Sequence, residues 1–218
     1  MQDVAAILPF AIGSAVSPLI LTASIFAVSE SKQPLAKSLA YLAGAAISIT
    51  IIGSAIILLN LGAKRVAATP SLVDVGFSLL AAIVLICFAV KQLSKTKPAT
   101  NKPGPTGSVG KYFALGFGLM LVNTSTIILY FPAAVVLTHD AASITGRSYG
   151  LVVMILFSLV PAAIAPVALL LLGKHAQPVL NKLSSFVKHY GKYIIAALFG
   201  AIGVYLLAKS LIALTHIL

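Results

Sequence analysis

Long apolar runs alternate along this chain with short polar or basic stretches. The lengths predict six helical spans, at about 4–28, 38–60, 72–93, 112–137, 149–173 and 193–214. The expected fold class is therefore an all-α polytopic membrane protein. The first run is too long for the apolar core of a cleaved signal and no basic stretch precedes it, so it is expected to stay as a span.

Two of the runs carry interruptions at their centres. Gly13-Ser14-Ala15-Val16-Ser17-Pro18 lies in the first, where Pro18 removes one backbone donor and frees the carbonyl of Ser14. In hydrocarbon such a carbonyl must be satisfied by a neighbouring helix, a hydroxyl or trapped water, so the break reads as a lined cavity or a hinge. Ser14, Ser17 and Thr22 bring hydroxyls to it. The fourth run carries the counterpart, Asn123-Thr124-Ser125-Thr126. Pro161 and Pro166 predict a further interruption in the fifth run by freeing the carbonyls of Phe157 and Ala162, and with Gly13 they are candidates for a hinge or gate.

Residues 94–111 differ from everything around them, with prolines and glycines interleaved with four lysines and no acid. They read as a flexible basic linker. Three spans lie on each side, 1–93 and 112–218, and an odd number of spans forces the second half to lie inverted relative to the first. That is the inverted-repeat plan of many transporters, with the site at the midplane between the halves. Ala208-Lys209-Ser210-Leu211 in the last span answers Val90-Lys91-Gln92-Leu93 in the third. Residues 178–191 place Val179, Leu180, Leu183, Phe186, Val187 and Tyr190 at helical spacing opposite lysines, as an amphipathic helix on the inner leaflet would.

Composition agrees with the pattern. Hydrophobic residues make up 60% of the chain and charged ones 9%, with a mean hydropathy of +1.08, which excludes a water-soluble enzyme. The net charge of +11 would suggest nucleic acid in a soluble protein, but here the lysines fall between spans and set orientation. Eleven basic residues lie in the connections 1 to 2, 3 to 4 and 5 to 6, against four on the other side. Both termini are therefore expected outside a plasma or inner membrane and the linker in the cytoplasm. The expected partners are membrane lipids and a small-molecule or lipid substrate, with no nucleic acid.

Chemistry inside the spans is neutral and polar. The single cysteine, Cys87, allows no intramolecular disulfide and no thiol relay. His139, His175, His189 and His216 lie in connections or at the last turn, so no metal, no cofactor and no catalytic residue is expected. Asp74 is the acid nearest a span, read either as the capping partner of Ser71 or as an ion or proton site at the membrane edge. Asn123 has two donors and an acceptor to satisfy away from water, either as interhelical glue or as a substrate contact. Ser14, Ser17, Pro18, Thr22, Asn123, Thr124, Ser125 and Thr126 form the candidate substrate path. Other polar span residues include Ser24, Ser48, Tyr130 and Ser158. Small residues, Ala40, Gly44 and Ser48 in the second span and Gly200 and Gly203 in the last, predict close helix packing, within the chain or in a homodimer.

Ala15-Val16-Ser17-Pro18 in the first span and Gly116-Phe117-Gly118-Leu119-Met120-Leu121-Val122-Asn123 in the fourth resemble the GAP family, named for glycolipid or peptidoglycolipid addressing. The proline-bearing fifth span and the basic amphipathic stretch before a glycine-rich last span are similar to it too, so the resemblance covers nearly the whole chain. It implies membership of the lysine-exporter superfamily of six-span transporters and export of an amphipathic envelope lipid or glycolipid. In the wider superfamily the cargo is an amino acid or a cation. One difference stands out: the group typically has Asn-Pro in its fourth span, where this chain has Asn123-Thr124 and so lacks the matching proline. A non-transporting membrane scaffold is the reading from another class, with the basic linker and surface helix recruiting partners.

Overall fold

The computed structural model describes residues 2–29, 33–66, 72–94, 108–138 and 144–215, and among them it is helical throughout apart from caps and turns. The helices are α1 (Gln2–Ser14), α2 (Pro18–Ser29), α3 (Pro34–Val66), α4 (Leu72–Leu93), α5 (Val109–Leu121), α6 (Thr124–Leu137), α7 (Ile144–Leu172) and α8 (Ala176–Thr215). A 3₁₀ turn, Gly173–His175, joins the last two, with Gly173 at a φ of 51° that favours glycine.

Three segments are long and apolar enough to cross a membrane unbroken: Pro34–Leu61, Ile144–Leu172 and His189–Ile212. Two more are bent pairs, Ala6–Ser14 with Pro18–Val28 at 48° and Val109–Leu121 with Thr124–Leu137 at 55°. The expected first and fourth spans are thus each two helices meeting at an angle. The expected third span is α4, of which Ala82–Lys91 is a shorter apolar stretch.

The structure corrects two sequence expectations. Residues 178–191 do not form a separate surface helix; they are the first part of α8, whose 40 residues run on into the last span. At 1.5 Å per residue that is about 60 Å, roughly twice a hydrocarbon core. Its first turns are tied down because Ala176 and Leu180 pack against Leu21, Ile25 and Val28 of α2 and Ala165 of α7. The second correction concerns Pro161 and Pro166, which lie inside α7 without dividing it.

The helices pair in a consistent register. Broken span α1–α2 lies antiparallel to α5–α6: Ile7 and Leu137 both adjoin Gly150, Gly13 faces Leu129, and Ser17 reaches Asn123. Helix α7 runs parallel to α1–α2, with Gly150 against Ile7, Ser158 at Ser14 and Ala162 at Ser24. Helix α3 runs parallel to α5–α6, with Tyr41 against Gly116, Gly53 against Tyr130 and Asn60 bonded to Thr138. Helices α4 and α8 pair antiparallel, with Ala82 and Ile86 near Gly203 and Phe88 edge-on to Phe199 at 5.5 Å.

Small residues make these approaches possible. A Cβ on Gly44 would run into the Phe113 carbonyl, and one on Gly116 into the Tyr41 carbonyl, so α3 and α5 touch backbone to backbone. Gly203 likewise lies on α4. Both small-residue faces are therefore used within one chain. The linker at 95–107, His139-Asp140 and Ser71 lie outside the described residues, and so does the side chain of Asp74 in the first turn of α4.

Candidate functional site

The two helix breaks meet in the core. At the first, α1 ends in a tightened turn in which Ala15 N–H reaches the carbonyls of Ala11 and Ile12, and Val16 N–H that of Gly13. Ser17 then precedes α2, where Pro18 at the first helical position has the φ that position needs and lacks a donor it would not use. At the second break no proline is present. Asn123 instead leaves the helical path at φ −76°, ψ 73°, and its carbonyl accepts from the N–H groups of Thr126 and Ile127 to open α6. Asparagine tolerates such a backbone because its side chain competes for the bonds a helix would use. A proline is thus not required for the second break.

Asn123 joins the breaks. Its Nδ2 donates to Ser17 Oγ at 3.1 Å and to Thr126 Oγ1 at 2.7 Å, while Ser125 Oγ donates to its Oδ1 at 2.7 Å. Ser17, Asn123 and Thr126 are all buried. The amide's two hydrogens and its oxygen are therefore all engaged, as a buried amide requires.

A second group of hydroxyls lies beside the first. Tyr130 Oη stands 3.1 Å from Ser158 Oγ, and the Ser158 hydrogen is shared between Ser14 Oγ at 3.0 Å and the Met154 carbonyl at 2.7 Å. Ser14 in turn donates to the Ala11 carbonyl at 2.7 Å. This run connects α6, α7 and α1 across the core. Nearby, Ser24 Oγ donates to the Ala162 carbonyl at 2.8 Å, the carbonyl that Pro166 frees. That bond accounts for a polar group that hydrocarbon could not have satisfied. Tyr41, fully buried, adds a bond to the Ile20 carbonyl at 3.1 Å.

Of the residues singled out from sequence, Ser17, Asn123, Ser125 and Thr126 come together, and Ser14 belongs to the neighbouring hydroxyl run. Gly13 is buried against Leu129, where a Cβ would come within 2.9 Å of a methyl group. Pro18 and Thr22 are half-buried. Thr124 is exposed and bonds back to the Val122 carbonyl at 3.3 Å. Pro161 and Pro166 are buried in α7. Tyr130, Ser158 and Ser24 were visible only as polar residues in apolar runs; no spacing announces which carbonyl or hydroxyl each will meet. Among the described residues no group of three or more His, Cys, Asp and Glu side chains comes together.

Fold and site together define a helical membrane protein with an uncharged polar centre between two broken helices. The chain belongs to the family described as Sap, sulfolipid-1-addressing protein, which matches residues 7–212. This agrees with the glycolipid-addressing resemblance in the first and fourth spans. No curated protein and no solved structure matches the chain.

Proposed function

We propose that the chain is an exporter in the cell membrane that moves a lipid-linked or amphipathic envelope component outward, with its path at the meeting of the two breaks. The observation that carries this reading is the Ser17–Asn123 bond at 3.1 Å, which brings two interrupted spans together in a buried, polar and uncharged centre. A lipid headgroup held there, with its chains leaving between helices, needs little buried charge. The family's name, sulfolipid-1-addressing, points to the same class of cargo.

Counting α4 as the sixth span, the helices divide into two inverted units of three, at 1–93 and 112–218. The swapped pairing supports this division: α3 lies along the broken span of the other half, and α7 does the same in return. Two units related by a twofold axis in the membrane plane pair in this way, and such proteins bind at the midplane between them. By the positive-inside rule, the basic connections favour both termini outside and 94–111 in the cytoplasm. In this scheme Ser14, Ser17, Pro18, Asn123 and Thr126 line the path, and α7, tied to α2 through Ser24, is the element whose shift would open it.

The test is mass spectrometry of what co-purifies with the protein in native nanodiscs, compared with Asn123→Ala from the same membranes. A lipid enriched with the unaltered protein and lost from the variant is the expected result. Identical lipids together with amino-acid or cation efflux would move the cargo to the other branch of the superfamily. Identical lipids with function intact in the variant would favour the scaffold.

A further inference from the structure

Helix α8 is buried against the rest of the bundle in two separate patches. Ile195, Phe199, Ile202 and Leu206 belong to the main core. Ala176 and Leu180 belong instead to a smaller apolar cluster with Leu21, Ile25 and Val28 of α2 and Ala165 of α7. Between the patches, at 184–190, no described side chain is buried. A narrow stripe, made of Ala176, Leu180 and the half-buried Leu183, therefore holds the first turns of α8 to the bundle.

That stripe covers a continuous face of α2. The Ser17 carbonyl accepts from the Leu21 N–H, and Leu21, Ser24, Ile25 and Val28 follow Ser17 at helical spacing. All of them are buried. Helix α7 covers Ser24 through its bond to the Ala162 carbonyl, while Leu21, Ile25 and Val28 are packed with Ala165 and the first turns of α8. The covered face begins where the two breaks meet and ends with α2, at the end of the bundle that the positive-inside rule favours for the cytoplasm.

The first turns of α8 are lightly attached. Helix α7 gives way to α8 at Gly173, which is exposed at a φ of 51°, and a Cβ there would meet nothing within 4 Å. Packing does not hold this joint in place. An element with few buried apolar contacts opens at a lower free energy than the core beside it. Helices α3 and α5, which touch backbone to backbone, have no such freedom.

We infer that the first turns of α8, from Ala176 to Leu183, are a strap that closes the cytoplasmic end of the path, with Leu180 as its catch. The conformation described here is the closed one. Turning at Gly173 and bending α8 through 184–190 lifts the strap and uncovers the face of α2 that leads to Ser17. The inference rests on the exporter reading for the path that the strap closes, and it adds a moving part that neither the helix breaks nor the motifs assign.

The test is thiol accessibility of the full chain in a Cys87→Ala background, measured in inside-out membrane vesicles with a small charged methanethiosulfonate. Ser17→Cys reports on the meeting of the breaks. Ile202→Cys, buried in the main core beside Gly13, is the control. Burial of Leu180 favours the closed strap, so adding Leu180→Ser should make Ser17→Cys react about tenfold faster. Ile202→Cys should stay unreactive in both backgrounds, and reagent added to intact cells should find Ser17→Cys equally slow with and without Leu180→Ser. An unchanged rate in Leu180→Ser vesicles overturns the strap. So does reaction of Ile202→Cys alongside Ser17→Cys, which would make Leu180 part of the structural core. Acceleration from the cell exterior overturns it too, by putting the entrance at the other end. Loss of lipid export in Asn123→Ala with no effect of Leu180→Ser on Ser17→Cys would sink the strap and leave the exporter standing. A strap that opens onto Ser17 in a protein that moves no lipid would do the reverse.

Discussion

Asn123 Nδ2 donates to Ser17 Oγ across 3.1 Å, joining two helix breaks that lie 106 residues apart in the chain. The bond fixes where the broken spans cross, and it uses the one buried amide of the centre. In the membrane an interhelical bond of this kind contributes about 1 kcal/mol. Asn123→Ala also leaves the Ser125 hydroxyl without its acceptor, so it is expected to cost more than Ser17→Ala. A double-mutant cycle in thermal or denaturant unfolding should give a coupling of about 0.6–1 kcal/mol between the two. Full additivity would show that the contact does not hold the breaks together.

Ser24 and Pro166 form a second linked pair. The proline frees the Ala162 carbonyl and Ser24 occupies it at 2.8 Å. Ser24→Ala should therefore destabilise by about 1–2 kcal/mol, because a buried carbonyl loses its donor. In a Pro166→Ala background, where the restored N–H can reach Ala162 along α7, the same change should cost much less. An equal cost in both backgrounds would mean that Ser24 acts elsewhere.

Two glycines of α5 two residues apart should respond oppositely to alanine. A Cβ on Gly116 would strike the Tyr41 carbonyl, while one on Gly118 would meet nothing within 4 Å. Gly116→Ala is expected to force α3 and α5 apart at a cost of about 2 kcal/mol or more, read as a loss of folded yield. Gly118→Ala should be neutral or stabilising by up to about 1 kcal/mol, since alanine favours the helix. Like behaviour of the two would contradict the close approach of α3 and α5.

Orientation can be read with single cysteines in a Cys87→Ala background. Ser108 and Thr145 are both exposed and lie at the first ends of α5 and α7. With the linker in the cytoplasm, Ser108→Cys should react with an impermeant maleimide only after the membrane is opened. Thr145→Cys should react in intact cells. Reaction of both from one side would refute the proposed topology.

The hydrophobic pattern alone located the apolar segments, and Ser17-Pro18 and Asn123-Thr124 marked both points where a span breaks. Backbone chemistry explains this success: a missing donor, or an amide that competes for one, acts within a few residues of itself. The Pro161 and Pro166 pair shows the limit of such reasoning. The same local rule frees the Ala162 carbonyl, but α7 runs on unbroken and Ser24, on another helix, donates to that carbonyl.

Local rules also separated residues 178–191 from the last span, whereas α8 runs through both, its first turns tied down by contacts of Ala176 and Leu180 with α2 and α7. The sequence by itself thus determined that the chain is helical, apolar and interrupted at two centres, since these follow from the order of residues along each segment. Only the tertiary structure decided that Ser17 meets Asn123 and that Tyr130, Ser158 and Ser14 form one run. Those relations depend on which helices lie side by side and in what register, and no spacing within a single helix encodes that.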